Sequence, residues 1–542
     1  MSVIILGGGP AGLVTAIELG RRGVHTILVE EDAADPDFPK ANATTARTME
    51  HYRRLGFVDE VRALGMPLDY PQDITYFTRL STYELGRLKG LSRREATRLR
   101  SGARDRWPTP EPLHRAQQMY IEAVMRRQLA RYPSIDPRFG WRASKVTQDD
   151  LGVYVEAIEL ASGRGEQLRA DYVVGCEGAR SLVRAMLGVR YEGIANEERE
   201  FLGGKMLAVY LDAPAFYEIV PHAPSWQYWA TNRERRGTFA AIDGAGRFVV
   251  QFQLPRDTTD HRAFAEASLA LAIGREFPHR IIKTEDWHAG FTLVAEQFSG
   301  GRAFLAGDSA HLFTPTGGQG YNTSVDDAAN LGWKLAAVSQ GWGGTKLLST
   351  YALERKPIAQ RNTGFARAMA DSIGRLTLPA ELEDPSPAGE AARAALGRQL
   401  VHHASTEFDI PGIHFGMFYG SSPIIAADGT PPPPDRWDEY SPGAVPGARA
   451  PHAWLDPSTA LYDRFGRDFT LLKLGGAVDP APLAAAAAAR GMPLATVALA
   501  DEEARDLYAA DLVLVRPDQH VAWRGNALPA DPAALIATVT GA

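Results

Sequence analysis

Residues 2–30 read SVIILGGGPAGLVTAIELGRRGVHTILVE, and the fold turns on this stretch. Val3 to Leu6 is a short β-branched run of the kind buried in a parallel sheet. Glycines follow at 7, 8, 9 and 12, then apolar residues at helical spacing up to Gly23, and "VHTILVEE" as a second strand. This is a βαβ unit, and the spacing Gly7-x-Gly9-x-x-Gly12 opens its helix. The first glycine permits a tight turn, the second lets backbone approach a pyrophosphate, and the third lets helix and strand pack closely. Gly7, Gly9, Pro10, Ala11 and Gly12 are therefore candidate cofactor-binding residues, because a helix start offers free N–H groups to phosphate. Glu30 and Glu31 end the second strand, where a carboxylate accepts hydrogen bonds from a ribose.

The chain has 542 residues, too many for one core, so two or three domains are expected. A hydrophobic content of 45% with 23% charged residues is that of an ordinary globular protein. The net charge of -7 and the lack of a long basic run argue against a nucleic-acid partner. Cys176 is the only cysteine, which excludes an internal disulfide and a cysteine-rich metal site and fits a reducing compartment. No apolar run reaches the roughly 18 to 20 residues of a spanning helix. The N-terminal apolar run collapses into glycine too early for a signal peptide. A cytoplasmic protein with no membrane partner is the expectation.

From about residue 190 the character changes. "KMLAVYL", "SWQYWAT", "GTFAAI" and "RFVVQFQL" are strand-like and separated by turn signals, which predicts an inserted antiparallel sheet. The α/β character resumes at "GRAFLAGDSAH" and continues into helical patterns. "DGTPPPPDRW" (428–437) reads as a linker, and a third, small α/β domain follows. The expected fold class is α/β: a Rossmann-type domain in two parts (1–189 and 287–427), a mainly β insert at 190–286, and a C-terminal domain at 428–542.

NAD and FAD both fit the first motif, and a second stretch chooses between them. "LAGDSAHLFTPTGGQGYN" (305–322) ends a buried run in Gly307-Asp308 and then supplies a glycine-rich loop. A flavin carries a ribityl chain between pyrophosphate and ring, and Asp308 is an acid at a strand end aimed at the same cleft. Gly318, Gln319 and Gly320, with Tyr321 and Asn322, make a backbone loop that leaves room for a flat ring. FAD is the cofactor that uses both ends.

With these motifs, and with "VVGCEGARSLVR", "ARTMEHYRRLG" and "HRAQQMYIE", the sequence resembles the single-component FAD-dependent aromatic hydroxylases. "PGARAPHAWL" and "DRFGRDFTLL" resemble the thioredoxin-like tail of the family's larger members, and together the motifs cover most of the chain. The resemblance implies FAD contacts at Gly9, Gly12, Glu30, Arg47, Gln118, Asp308 and the 318–322 loop. It implies NAD(P)H and O2 as co-substrates, and oxygen delivery from a flavin C4a-hydroperoxide to a phenolic or fused-ring aromatic substrate. No second nucleotide fold is visible, so NAD(P)H is expected to bind transiently. A Baeyer–Villiger oxygenase of an aromatic polyketide and a non-catalytic FAD-binding module are the alternatives. A halogenase is disfavoured by the missing Trp-x-Trp-x-Ile-Pro motif. A homodimer is the candidate assembly.

Pro315 lies where the family positions the reacting oxygen and, with His311, is carried as a candidate catalytic residue. His311 is either a substrate contact or a satisfied structural histidine. The middle motif normally reads Asp-Gly, whereas here it is Glu177-Gly178, with Arg180 and Arg184 after it. Cys176 reads as a small buried residue. Trp226, Tyr228 and Trp229 are either core or the wall of a pocket. The tail has no Cys-x-x-Cys, so it is read as structural or interface-forming.

Overall fold

Val3, Ile4, Ile5 and Leu6 are buried at 1% exposure or less, as a strand covered on both faces must be. In the computed structural model, which describes residues 1–542, they form β1 (Ser2–Leu6), followed by α1 (Pro10–Gly20) and β2 (His25–Glu30). β1 pairs in parallel with β2 on one side and with Tyr172–Gly175 on the other. Ala303–Leu305 and Ile135–Phe139 extend the sheet outwards, and Ser299–Gly300 makes its edge. The strands come from both ends of the FAD-binding region, so the domain is discontinuous as the sequence implies. Helix Gln319–Ser339 packs against α1, and Gly332 allows the close approach, since a Cβ there would lie 2.5 Å from that of Glu18. A three-stranded meander, Trp141–Asp149, Gly152–Glu159 and Gly165–Ala170, completes the first segment.

The inserted sheet has seven strands, not the four read from the 190–286 segment. The additions correct the domain boundaries. Arg280–His288 forms one edge, and Ile74–Phe77 with Glu84–Leu88 form the other. Ile74–Phe77 joins in parallel to Gln227–Thr231, a long-range pairing for which no local turn gives a signal. Helix Pro387–Phe408 covers this edge at close range. A Cβ on Gly397 would stand 1.9 Å from the Leu85 carbonyl oxygen. That contact seats the middle of the helix on the sheet edge.

The C-terminal domain is a four-stranded mixed sheet in the order Leu494–Ala498, Phe469–Lys473, Leu512–Val515, Val521–Gly525. It is tied to the FAD-binding domain by buried ion pairs. Arg449 bonds Glu50, Arg516 bonds Glu354 at 2.8 Å, and Asp468 accepts from Arg22 at 2.7 Å. No helix is long and apolar enough to cross a membrane.

Candidate active site

A cavity of about 1100 Å³ runs from the glycine turn after β1 to the inner face of the seven-stranded sheet. At the first end, Gly7 has φ +98°, a conformation that favours glycine, and its Cβ would collide with the Cys176 carbonyl at 2.4 Å. Gly12 is equally constrained: its Cβ would sit 1.9 Å from the Gly7 carbonyl oxygen. Gly9 differs. A Cβ there meets nothing within 4 Å, and the residue lines the cavity. α1 starts at this point with Pro10 in its first turn and no side-chain cap. The open space and uncapped N–H groups are what a phosphate requires.

Glu30 also lines the cavity, with one carboxylate oxygen on the Gly8 amide and the other 2.8 Å from the Asp32 amide. Glu31 and Gln118 line the same region, and Gln118 donates to Glu122. Burial raises the pKa of Glu122, with Gln118 and Lys40 opposing the shift.

At the other end, Gly307 takes φ +64° and Asp308 turns its exposed side chain into the cavity. The Asp308 carboxylate accepts no hydrogen bond from the protein, so it does not cap the turn that follows; only its backbone carbonyl is engaged, by the Tyr191 hydroxyl. Desolvation pushes this carboxyl above its ordinary range, against the pull of His311 and Lys40. An acid kept free of protein partners beside a phosphate-type turn fits a polyhydroxyl chain. Gly317 (φ +68°) and Gly318 (φ +64°) then bend the loop before helix Gln319–Ser339, and Pro315, exposed on the cavity wall, accepts from the Gly318 amide at 3.1 Å. Gly320 and Tyr321 line the wall as well.

Five expected site residues lie off the wall, Gly12 because it packs against the Gly7 carbonyl. His311 is fully buried and off the wall; its Nε2 is 2.6 Å from Asp327, which also accepts from Arg355 at 2.8 Å and from the Gly307 amide. It braces the Asp308 turn from behind and does not face substrate. Arg47 points into the interface between domains, donating to Glu50, Gln519 and the Asp518 carbonyl. A buried guanidinium needs that many acceptors, and the C-terminal domain supplies them. Gln319 bonds the Gly317 carbonyl, and Asn322 bridges Thr45, Ala43 and Gly318. Both shape the loop and leave the cavity wall to its backbone.

Glu177 is on the wall. Burial raises its pKa, opposed by the Val183 amide that donates to it at 2.9 Å. Cys176 is half-buried beside it, and burial pushes its thiol well up. Arg184 is committed to Tyr191 and the Ser309 carbonyl, whereas Arg180 is exposed on the wall. On the sheet side, Trp226 and Trp229 line the cavity and Tyr228 is core, which divides the aromatic run between its two readings. Lys40, Trp287 and Glu407 also reach the wall. None of these three lies in a motif, and Glu407 sits on a helix that no pattern connects to the cleft.

Two family models match the chain: "FAD binding domain" over residues 1–366 and "Aromatic-ring hydroxylase, C-terminal" over 443–542. The FAD-dependent monooxygenase apdD of Emericella nidulans is 30% identical, covering 100% of this chain and 90% of that protein. Phenol 2-monooxygenase of Pseudomonas sp. is 29% identical over 98% of this chain and 90% of its own. Among solved structures, chromopyrrolic acid-soaked RebC with bound 7-carboxy-K252c superposes with a TM-score of 0.88 at 33% identity, covering 100% of this chain and 99% of that one.

Proposed function

The chain belongs to the FAD-dependent aromatic-ring hydroxylases, and on that premise we propose that it is an NAD(P)H- and O2-dependent monooxygenase of a phenolic or fused-ring aromatic substrate. The single observation that carries the reading is one continuous cavity: it joins the Gly7–Gly12 turn, the unpartnered Asp308 and an aromatic-lined sheet face. Bound FAD would supply the redox chemistry between NAD(P)H and O2, with one oxygen atom entering the ring and the other leaving as water. The chain's part is placement. The backbone around Gly9 and the start of α1 hold the pyrophosphate, Glu30 the ribose, and Asp308 the ribityl hydroxyls. The 315–318 loop, on the cavity wall, would hold the ring. Trp226, Trp229 and Trp287 keep water from the reacting centre and stack against a flat substrate. The mixed sheet of the C-terminal domain supports a thioredoxin-like reading of the tail, whose role is to brace the FAD-binding domain.

Screening phenols and fused-ring hydroxyarenes against the yellow holoprotein tests this. At least one class should accelerate NAD(P)H oxidation severalfold over the substrate-free rate, and heat should release FAD. A protein that holds FAD but shows no acceleration across the panel would contradict the enzymatic reading.

A further inference from the structure

The sheet side of the cavity presents mainly uncharged side chains, among them Thr238 and Gln251 beside the tryptophans, with one histidine, His288. The cations that reach the cavity, Lys40, Arg126, Arg142 and Arg180, all come from the FAD-binding segments. Two carboxylates remain on the substrate side. Glu285 is paired with Lys283 at 3.1 Å. Glu407, only 3% exposed, stands at the end of helix Pro387–Phe408 and receives the Gly317 amide on one oxygen at 2.8 Å.

Its other oxygen is unsatisfied. His403 Nε2 lies 2.9 Å away without hydrogen-bonding alignment. Four more buried polar atoms on the cavity wall also lack partners: the indole N–H of Trp226, the hydroxyl of Thr314, Nε2 of His288 and, on the FAD-binding side, Nε of Arg126. The Tyr76 hydroxyl, close enough to Glu407 for its own pKa to be raised by that charge after burial, is unsatisfied too. Buried polar atoms are almost always paired, so a cluster of orphans facing a cavity marks a place where a polar group is received. Arg115 stacks over Trp226 at 3.7 Å, but it borders a small adjoining cavity and not the large one. Glu407 borders both cavities, and Arg115 only the small one.

We propose that Glu407 sets which polar group the substrate carries: the site takes an uncharged aromatic bearing an O–H or N–H donor, directed at the free Glu407 oxygen, and rejects the same ring bearing a carboxylate. A donor satisfies that oxygen, and an acceptor on the same group can take the Trp226 N–H. An anion there is set beside the Glu407 carboxylate, while the lysine and the arginines that reach the cavity belong to the FAD-binding segments, and like-charge juxtaposition in a desolvated site is unfavourable. The inference rests on the aromatic-hydroxylase reading of the cavity, but its test reads binding alone.

The holoenzyme is titrated at pH 7 with 2-naphthol and with 6-hydroxy-2-naphthoate, following the flavin absorbance. The wild type should bind the naphthol at least about tenfold more tightly, a difference of about 1.4 kcal/mol. Glu407→Gln keeps an acceptor for the Gly317 amide and removes the charge, so it should weaken naphthol and bring the two affinities close to parity. The proposal is overturned if the wild type binds the carboxylate as well or better, if neither probe perturbs the flavin, or if a variant with full FAD content keeps the wild-type preference. Should the variant fail to retain FAD, the wild-type ratio decides. Selective binding without oxygenation of either probe would support the role of Glu407 and contradict the monooxygenase reading instead.

Discussion

Asp308 accepts no hydrogen bond from the protein and its side chain is open to the cavity, so it holds no part of the apoprotein together. Asp308→Ala should leave the melting temperature of the apoprotein unchanged, while FAD affinity falls about 10- to 150-fold, the loss of roughly 1.5 to 3 kcal/mol from a charged hydrogen bond. Melting scans and FAD titration read the two effects separately; lowered stability with unchanged affinity would make the residue structural. The glycines separate in a similar way. Gly9 has φ -76°, which any residue adopts, and space beyond its Cβ position. Gly9→Val should fold normally and lose FAD. Gly12→Ala drives a methyl against the Gly7 carbonyl, and overpacking of about 1 to 3 kcal/mol outweighs the gain of roughly 1 kcal/mol in helix propensity. It should lower the melting temperature of the apoprotein, and equal stability of the two variants would contradict this division of labour.

At the level of elements, what could be read locally was read correctly in kind. β1, α1 and β2 declare themselves within 29 residues, because a turn, a phosphate and a helix start impose their needs on neighbouring positions. Strands 74–77 and 84–88 did not, since their partners lie far along the chain. The place of Arg47 is hidden for the same reason: its acceptor Gln519 is 472 residues away. The interface it belongs to governs the response to acid. Burial pushes Glu50 and Glu354 up, but Arg449 and Arg47, and Arg516 and Lys334, outweigh it and hold both carboxyls at about 2. Carboxylates depressed on folding contribute stability above their unfolded pKa and lose it as pH falls through the folded value. His114, His414 and His452 are pushed down to about 3 by burial, so the unfolded chain takes up their protons first as pH falls below about 6.5. Asp326, raised by burial to about 6, works the other way until its ordinary range is reached. The melting temperature should therefore decline gently below pH 6.5 and steeply below about 4.5. A flat profile between pH 4.5 and 2 would contradict the ion-pair assignment.

For the whole molecule, the account joins three parts around one space: a dinucleotide-type domain, a sheet that walls the cavity, and a tail that locks the first domain through buried charges. The cofactor end was legible in the sequence because it is made of backbone. The substrate end was legible only in the aromatic run at Trp226 and Trp229, because the rest of its wall is assembled from Leu202, Gln251, Trp287 and Glu407, residues on separate elements with no shared motif. The central claim is that this space brings reduced flavin, O2 and an aromatic ring together. Turnover under ¹⁸O-labelled O2 with NAD(P)H and an accepted phenol tests it most directly. The account predicts a product one oxygen heavier, with that atom labelled and unlabelled water contributing none; label absent from the product, with the new oxygen drawn from water, would contradict it.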